Sequence, residues 1–246
     1  MWARTTPKRR SCVTPILEVI ACSVAHAIEA ERGGASRLEI IRDFERGGLT
    51  PPLELVRDIV AAVSVPVRVM LRERDGYTVA GEAEIERLCK SARHLSALQI
   101  DGVVLGFLRD GEIDVDLTQR VLACAPALKA TFHHAFEETI DPFASIEKLK
   151  RIAQVDRILA SGGSGDWPQK IARLSRYERA ARPQINILAG GGLNREAIRA
   201  VREATGIREF HVGRAARISG RADGAVRAPL VRELIQTVEA CSAELR

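Results

Sequence analysis

Acidic, basic and imidazole side chains occupy alternate positions in several short apolar segments of this chain. Glu18 and Glu39 lie in the first two segments, and His133 and His211 lie in later ones. Alternate residues of a β-strand share one face, so these groups would converge if the segments are strands. Such groups can move protons near neutral pH, and an arginine can clamp an anion. The candidate catalytic residues are Glu18, Glu39, Arg72 and His133.

Eight segments rich in Val, Ile and Leu are the predicted strands that carry these residues. They are typical of a buried parallel sheet, and a segment of helical periodicity follows each one. Eight strand–helix units in 246 residues predict an α/β fold, a single-domain TIM-like (β/α)8 barrel at residues 16–246. A doubly wound open sheet is the alternative, but no GxGxxG motif follows the first segment. The predicted strands are Ile16–Ser23, Arg37–Arg42, Val65–Arg72, Gly102–Gly106, Ala130–Ala135, Arg157–Ser161, Gln184–Ala189 and Glu209–Gly213.

Capping signals locate several of the helices. Thr50 before Pro51, and Asp141 before Pro142, each combine an N-cap residue with proline at the first helical position. Asn194 would cap a later helix that ends at Gly206, and the last helix would run from about residue 229 to 244.

The polar face of the strands must point into the barrel, because helices cover the apolar outer face. Buried charges are costly unless they are paired. One interpretation is therefore a buried ion-pair network of Glu18 and Glu39 with the arginines Arg68 and Arg72. The other is a functional site, since acids, bases and imidazoles converge on one interior.

Small residues cluster where the sixth to eighth predicted strands end. Backbone amides at such positions, next to a helix N-terminus, commonly form a cradle for an anion. Arg74, in the segment RERDGY after the third strand, adds a cation at the same end of the barrel. The candidate anion-binding residues are Arg74, Ser161, Gly162, Gly190, Gly191 and Gly213.

A thiol and an imidazole that meet in the barrel interior could bind a metal ion. Strands one and eight are neighbours in a closed barrel, so Cys22 and His211 are candidate metal ligands. Cys89, Cys124 and Cys241 fall in predicted helices and are interpreted as packing residues. The five cysteines form no CxxC pair, which argues against a disulfide framework or a structural zinc site and favours a reducing, cytosolic compartment.

Charge and motifs exclude several function classes. The net charge is +5, but most of it lies in a basic tail at residues 1–15, which we predict to be flexible, so a nucleic-acid partner is not expected. No apolar run has the length of a membrane span. GxSxG, HExxH and P-loop motifs are absent and no strand holds a lysine for a Schiff base, so no organic cofactor is indicated. A homo-oligomer is expected from the exposed helix faces.

Several collinear segments carry a resemblance to a known family. They are LEVIACS (17–23), RLEIIRDFERGGLTPP (37–52), VRVMLRERDGY (67–77), TFHHAFEE (131–138), ILAGGGLNREAI (187–198) and EFHVGRA (209–215). Together they resemble the CutC family, which is described as copper homeostasis proteins. The resemblance implies a TIM-like barrel, a cytoplasmic location and a link to copper tolerance or copper binding. Cys22 matches a cysteine that relatives carry late in the first strand, whereas Ile41 stands where many carry a second one.

Two functions follow as predictions. The first is a cytoplasmic, CutC-like role in copper homeostasis through copper binding, with Cys22 as a ligand. The alternative is a TIM-barrel enzyme of lyase or isomerase type that acts on a small phosphorylated or carboxylated metabolite at the barrel mouth. There Glu18 or Glu39 would be the acid or base and His133 a proton shuttle. The residue pattern is compatible with both an enzyme and a binding protein.

Overall fold

Eight parallel strands form a closed barrel in the computed structural model, which describes residues 14–240. The barrel strands are β1 (Ile16–Ala21), β2 (Arg37–Ile40), β3 (Val67–Met70), β4 (Gly102–Leu105), β7 (Lys129–Phe132), β8 (Val155–Ala160), β9 (Asn186–Ala189) and β10 (Glu209–Val212). Each pairs with its neighbour along the chain, and β10 closes the barrel against β1. The predicted single-domain TIM-like barrel is confirmed. Residues 1–13 of the predicted tail lie outside the described residues.

A two-stranded hairpin, which the sequence did not predict, follows β4. Its strands are β5 (Leu108–Arg109) and β6 (Glu112–Ile113), and they pair antiparallel. The hairpin lies beyond the carboxyl end of β4, at the same end of the barrel as the other strand-to-helix loops.

Within residues 14–240, eight α-helices surround the barrel. They are α1 (Val24–Arg32), α2 (Leu53–Ala62), α3 (Glu82–Ser96), α4 (Val115–Ala123), α5 (Pro142–Leu149), α6 (Trp167–Ala181), α7 (Arg195–Thr205) and α8 (Ala228–Glu239). Their apolar faces pack on the outward residues of the strands, such as Leu17, Val69 and Phe210, all of which are fully buried. None of these helices, within residues 14–240, combines the length and apolar character needed to cross a bilayer.

Two of the three predicted N-caps are confirmed. The Asp141 carboxylate accepts hydrogen bonds from the amides of Phe143 and Ala144, at 2.8 and 3.1 Å, and so begins α5. Asn194 caps α7, which ends at Gly206 in the left-handed conformation. The prediction at Thr50 is wrong, because α2 begins only at residue 53. The Thr50 hydroxyl instead bonds the backbone of the chain just after β3 and ties two loops together.

The cap at Asp141 provides a modest stability prediction. Asp141→Ala leaves two amides at the start of α5 without their acceptor, so we expect the free energy of unfolding to fall by about 1 kcal/mol. Urea denaturation monitored by circular dichroism measures the loss. Asp58→Ala, at an exposed position in α2, is the matched control, and an equal effect in both variants would contradict the capping role.

The inward side chains near the strand starts form a buried ion-pair network. Arg68 is fully buried and its guanidinium lies 2.7 Å from Asp101 Oδ2 and from Asp156 Oδ1. Arg37 binds Glu18, and Glu209 lies 3.3 Å from the same guanidinium. A network therefore exists, but its membership differs from the predicted one. The partners of Arg68 lie at the starts of β4 and β8, because the stagger of the barrel strands places those residues at the same height along the barrel axis as Arg68.

Candidate active site

A cavity of about 510 Å³ opens at the carboxyl ends of the barrel strands. Parallel strands place their carboxyl ends at one face of a barrel, which is where barrel enzymes carry their sites. The predicted residues that line this cavity are Glu39, Arg72, His133, Gly191, His211 and Gly213. Three apolar residues on inward positions, Ile20, Met70 and Leu159, form part of its wall.

Two carboxylates flank the buried imidazole of His211. Its Nδ1 lies 2.8 Å from Glu18 Oε1, and its Nε2 lies 3.6 Å from Glu39 Oε2. Although burial favours neutral imidazole, Glu39 and Glu18 raise the pKa of His211. Burial also opposes ionisation of Glu18, yet the Arg37 guanidinium and His211 hold the pKa of Glu18 well below its ordinary value. Glu18 therefore stays ionised and orients His211. Glu18 itself does not line the cavity.

Glu39 is the carboxyl group that faces the cavity. It is buried, and its Oε1 atom has no hydrogen-bond partner among the described residues. Burial raises the pKa of Glu39 to about 7, and the nearby negative charge of Glu18 acts in the same direction. A carboxyl group with such a pKa is available both as a base and as an acid near neutral pH.

His133 presents a neutral imidazole to the same cavity. Its Nδ1 accepts a hydrogen bond of 3.2 Å from the Ala135 amide, so Nε2 carries the hydrogen in the neutral ring. That Nε2 atom is buried and has no partner among residues 14–240. Burial lowers the pKa of His133 to about 3, and Arg72 adds to the effect. The ring packs beside Tyr77 and over Gly106, where a Cβ would lie 2.6 Å from Nδ1.

Arg72 lines the cavity but its guanidinium is already engaged. It donates to the carbonyls of Gly48 and Gly76, at 3.2 Å each, and stacks over the Tyr77 ring. It thus braces the loops after β2 and β3. Arg74 is exposed and is not among the residues of the cavity wall. Neither arginine has the free, inward guanidinium that the predicted anion clamp requires.

A carboxylate of the chain itself fills the backbone cradle after β8. Glu137 accepts hydrogen bonds from the amides of Ser161 and Gly163, at 2.9 and 2.6 Å, and from the Ser161 hydroxyl. It also lies 3.0 Å from Nδ1 of His134, whose side chain reaches the cavity. The predicted anion-binding residue Ser161 therefore holds Glu137, Gly162 lies between the two donating amides, and neither residue lines the cavity.

The glycines after β9 and β10 remain open to the cavity. Gly191, Gly192 and Gly213 line its wall beside Asn194, the N-cap of α7. Gly190 is not part of this wall. Its amide donates a hydrogen bond to the Ala160 carbonyl and so extends the pairing of β8 and β9.

Arg214 follows Gly213 directly and is the cation that sequence reasoning missed. It is exposed, lies over the Phe44 ring, and forms no salt bridge with any residue between 14 and 240. Arg214 directly follows Gly213, the last residue of the eighth predicted strand, in the segment EFHVGRA. This position in the sequence could have identified Arg214 as a candidate binding residue. A guanidinium without a salt bridge to any described residue, beside two glycine loops and a helix N-terminus, forms an electropositive rim for an anionic group.

A family model described as the CutC family matches residues 15–216. The chain belongs to the CutC family. The copper homeostasis protein cutC homolog of Homo sapiens is 34% identical over 207 residues, which cover 83% of this chain and 76% of the relative. A family protein CutC of Xanthomonas axonopodis pv. citri is 35% identical over 196 residues, covering 79% and 81%.

A solved CutC structure agrees with the fold. The putative copper homeostasis protein CutC from Streptococcus agalactiae superposes with a TM-score of 0.74 at 25% sequence identity, covering 81% of this chain and 98% of that one. The family assignment and the single-domain barrel inferred from the sequence are thus both confirmed.

The two predicted metal ligands, Cys22 and His211, do not line the same cavity. Cys22 lines a separate recess together with His26 and Arg217, whereas His211 lines the central cavity. The Arg217 guanidinium lies 3.4 Å from the Cys22 thiol and from His26 Nδ1. Burial raises the pKa of Cys22, although Arg217 counteracts it. Because Cys22 and His211 line different recesses, they do not fit a shared copper site. Between residues 14 and 240 no three His, Cys, Asp or Glu side chains come together as metal ligands.

Proposed function

We propose that this CutC family protein is an acid–base enzyme that acts on a small anionic carbonyl compound at the barrel mouth. One observation carries the proposal. Two buried polar atoms, Glu39 Oε1 and His133 Nε2, have no partner among the described residues, and both residues line one cavity. Leaving buried polar atoms unpaired costs about 1–3 kcal/mol each, so such a pair is best explained by a ligand that satisfies them.

The pair suits abstraction of a proton next to a carbonyl group. Glu39 takes the proton from carbon, and the electron pair of the broken C–H bond moves into an enolate. The neutral His133 ring donates its Nε2–H to the developing oxyanion, a combination of carboxylate base and neutral imidazole that is effective in other barrels. If the α-carbon carries a hydroxyl group, that group passes its proton to the former carbonyl oxygen, and return of the abstracted proton to the former carbonyl carbon completes an isomerisation. If a leaving group is β to the carbonyl, it departs with its bonding electron pair as the enolate collapses, and this completes a lyase reaction.

The remaining side chains would position this reaction. His211, held by Glu18, fixes the second oxygen of Glu39. Arg214 and the glycine loops after β9 and β10 supply the positive rim for a phosphate or carboxylate group of the substrate. The apolar wall around Met70 excludes water from the reacting carbon.

Solvent deuterium exchange tests the proposal whatever product the reaction forms. The protein is incubated in D2O with a panel of small phosphorylated and carboxylated aldehydes and ketones, and loss of C–H signals is followed by proton NMR. We expect exchange in at least one compound, with Glu39→Gln slower by about 100-fold. Because the base must be ionised, the wild-type rate should rise with pH through about 7, the pKa of Glu39.

Glu86→Gln is the matched control, since Glu86 is exposed on α3, away from the cavity. It should exchange at the wild-type rate. Exchange that is equally fast in Glu39→Gln would contradict the role of Glu39. A panel compound that binds in the cavity but exchanges in neither protein would contradict proton abstraction from carbon.

Copper(I) binding is the second candidate function, and it is supported by family membership and by the thiol groups of the chain. At the predicted position, the Cys22 thiol contacts the Arg217 guanidinium and lies in a recess that His211 does not line. Anaerobic titration of the wild type and Cys22→Ala with copper(I), against a competing chelator, separates the two possibilities. Equal affinity in both proteins would exclude Cys22 as a ligand. The cytoplasmic location and the homo-oligomeric state stay predictions.

A further inference from the structure

A second imidazole, that of His134, lines the same cavity as His133. His134 begins a short 3-10 helix, His134–Glu138, directly after β7, and its side chain is 35% exposed. Its Nδ1 atom lies 3.0 Å from Oε2 of Glu137. The Nε2 atom, on the opposite side of the ring, forms no hydrogen bond with any residue between 14 and 240, so it is left for a molecule in the cavity.

The Glu137 carboxylate fixes the tautomer of this ring. It accepts hydrogen bonds from the amides of Ser161 and Gly163, which favour its ionised form. Although burial opposes ionisation, His134 and the Ser161 donors lower the pKa of Glu137. A carboxylate can only accept hydrogen bonds, so Nδ1 of His134 carries the hydrogen between the two groups, and Nε2 of the neutral ring keeps a free lone pair.

The two neighbouring imidazoles therefore differ in what they can do with a proton. His133 accepts an amide hydrogen bond at Nδ1 and offers its Nε2–H, and burial lowers its pKa to about 3, so it stays a neutral donor. His134 can take up a proton at Nε2, because Glu137 balances the positive charge of the ring. The sequence predicted a proton shuttle at His133, whereas the hydrogen bonds favour His134 for that role.

We propose that His134, oriented by Glu137, is the general acid of a β-elimination, and that the substrate is a β-hydroxy carbonyl compound with an anionic group. This inference rests on the proposed acid–base function and selects one of its two outcomes. Hydroxide is a poor leaving group, so a positioned acid contributes most where a hydroxyl departs. An isomerisation passes a proton between neighbouring oxygens of the substrate, which one neutral imidazole can serve.

Every atom of the elimination is accounted for by groups of the cavity and the substrate. Glu39 takes the proton from the α-carbon, and His133 donates a hydrogen bond to the enolate oxygen. The C–O bond at the β-carbon then breaks, and its electron pair leaves with the hydroxyl oxygen, which takes the Nε2 proton of His134 and departs as water. The carbon product is an α,β-unsaturated carbonyl compound. The proton on Glu39 passes through solvent to His134 and restores both groups.

The nature of the leaving group provides the test. Small β-hydroxy aldehydes and ketones that carry a carboxylate or phosphate group are compared with their β-fluoro analogues, because fluoride leaves at neutral pH without a proton. The unsaturated product is followed by its ultraviolet absorbance. His134→Asn keeps an N–H directed at Glu137 but has no nitrogen in place of Nε2. We expect it to slow hydroxyl loss by about 100-fold and fluoride loss by less than about 2-fold.

Three further variants serve as comparisons. Glu39→Gln should slow both eliminations, since each begins with loss of the α-proton. Glu137→Gln removes the charge behind His134 and should slow hydroxyl loss alone, by about 10-fold or more. His94→Asn, at an exposed position on α3, is the matched control and should eliminate both groups at the wild-type rate. Circular dichroism verifies that each variant is folded.

The outcomes separate this inference from the proposed function. Equal slowing of hydroxyl and fluoride loss in His134→Asn would overturn the acid role, and so would hydroxyl loss at the wild-type rate. Glu39-dependent deuterium exchange at the α-carbon without elimination of either group would overturn the elimination but leave the proposed function standing. Compounds that bind in the cavity and neither exchange nor eliminate would overturn both.

Discussion

Arg68→Met is expected to lower the free energy of unfolding by about 2–3 kcal/mol, because the variant loses four hydrogen bonds that the buried guanidinium donates. Arg68 is fully buried and holds Asp156 with two hydrogen bonds, of 2.7 and 2.8 Å. It also bonds Asp101 and Thr131, at 2.7 Å each. Methionine fills much of the same volume, so the loss reports the missing hydrogen bonds rather than a cavity. Asp156 keeps Arg157 as a partner in the variant, whereas Asp101 has no other ion pair among the described residues. Urea denaturation at neutral pH measures the effect.

Arg195→Met is the matched control, because Arg195 forms an exposed pair with Glu233 at 3.1 Å. Exposed pairs contribute about 0–1 kcal/mol. Adding Asp101→Asn to Arg68→Met should recover part of the loss, since Asp101 has no other ion-pair partner among residues 14–240. A loss below about 1 kcal/mol in Arg68→Met would contradict the role of Arg68 as a brace.

His133→Gln is expected to remove a steep acid sensitivity from the folded protein. The pKa of His133 is lowered by burial to about 3 from an ordinary value of 6.5. Folded protein therefore binds one proton fewer than unfolded chain between these two values. Stability from this group is fully present above pH 6.5 and falls by about 1.4 kcal/mol per pH unit below it, or about 3 kcal/mol by about pH 4.

The measurement is the free energy of unfolding of the wild type and His133→Gln from about pH 7 to about pH 4. Glutamine removes the titration, so the difference between the two proteins should change by about 3 kcal/mol over this range. His94→Gln, an exposed position on α3, controls for the loss of an imidazole. Parallel curves for the wild type and His133→Gln would contradict a neutral, buried His133.

Glu39 contributes the opposite pH dependence. Burial raises the pKa of Glu39 to about 7 from 4.5, so the folded protein binds the proton more tightly than the unfolded chain. Its stabilisation is present below pH 4.5 and is lost as the pH rises through about 7. The effects of Glu39 and His133 on the pH dependence of stability partly cancel in the wild type. Each effect is therefore measured as the difference in unfolding free energy between the wild type and a single variant.

The polar interior of the barrel divides into two levels with different roles. Near the strand starts every charged group of the described network is paired, and Arg68, Arg37 and Glu209 act as braces. Near the mouth, Glu39 and His133 each keep one buried atom without a partner among residues 14–240. The same inward positions thus support stability at one level and a candidate reaction at the other.

The sequence alone determined the architecture and the direction of the inward residues. Alternation of apolar and polar residues is local, and it decides which face of each strand points to the centre. The caps at Asp141 and Asn194 are also local, because the capping side chain bonds amides two or three residues away. Alternation therefore suffices to assign Glu39, His133 and His211 to one interior.

Only the tertiary structure decided which of these groups meet. The stagger of a closed barrel sets the level of each residue along the axis, and alternation carries no information about that level. Arg68 consequently pairs with Asp101 and Asp156, and Cys22 lies in a different recess from His211. Contacts between loops depend on long-range packing in the same way, which is why Glu137 fills the predicted anion cradle.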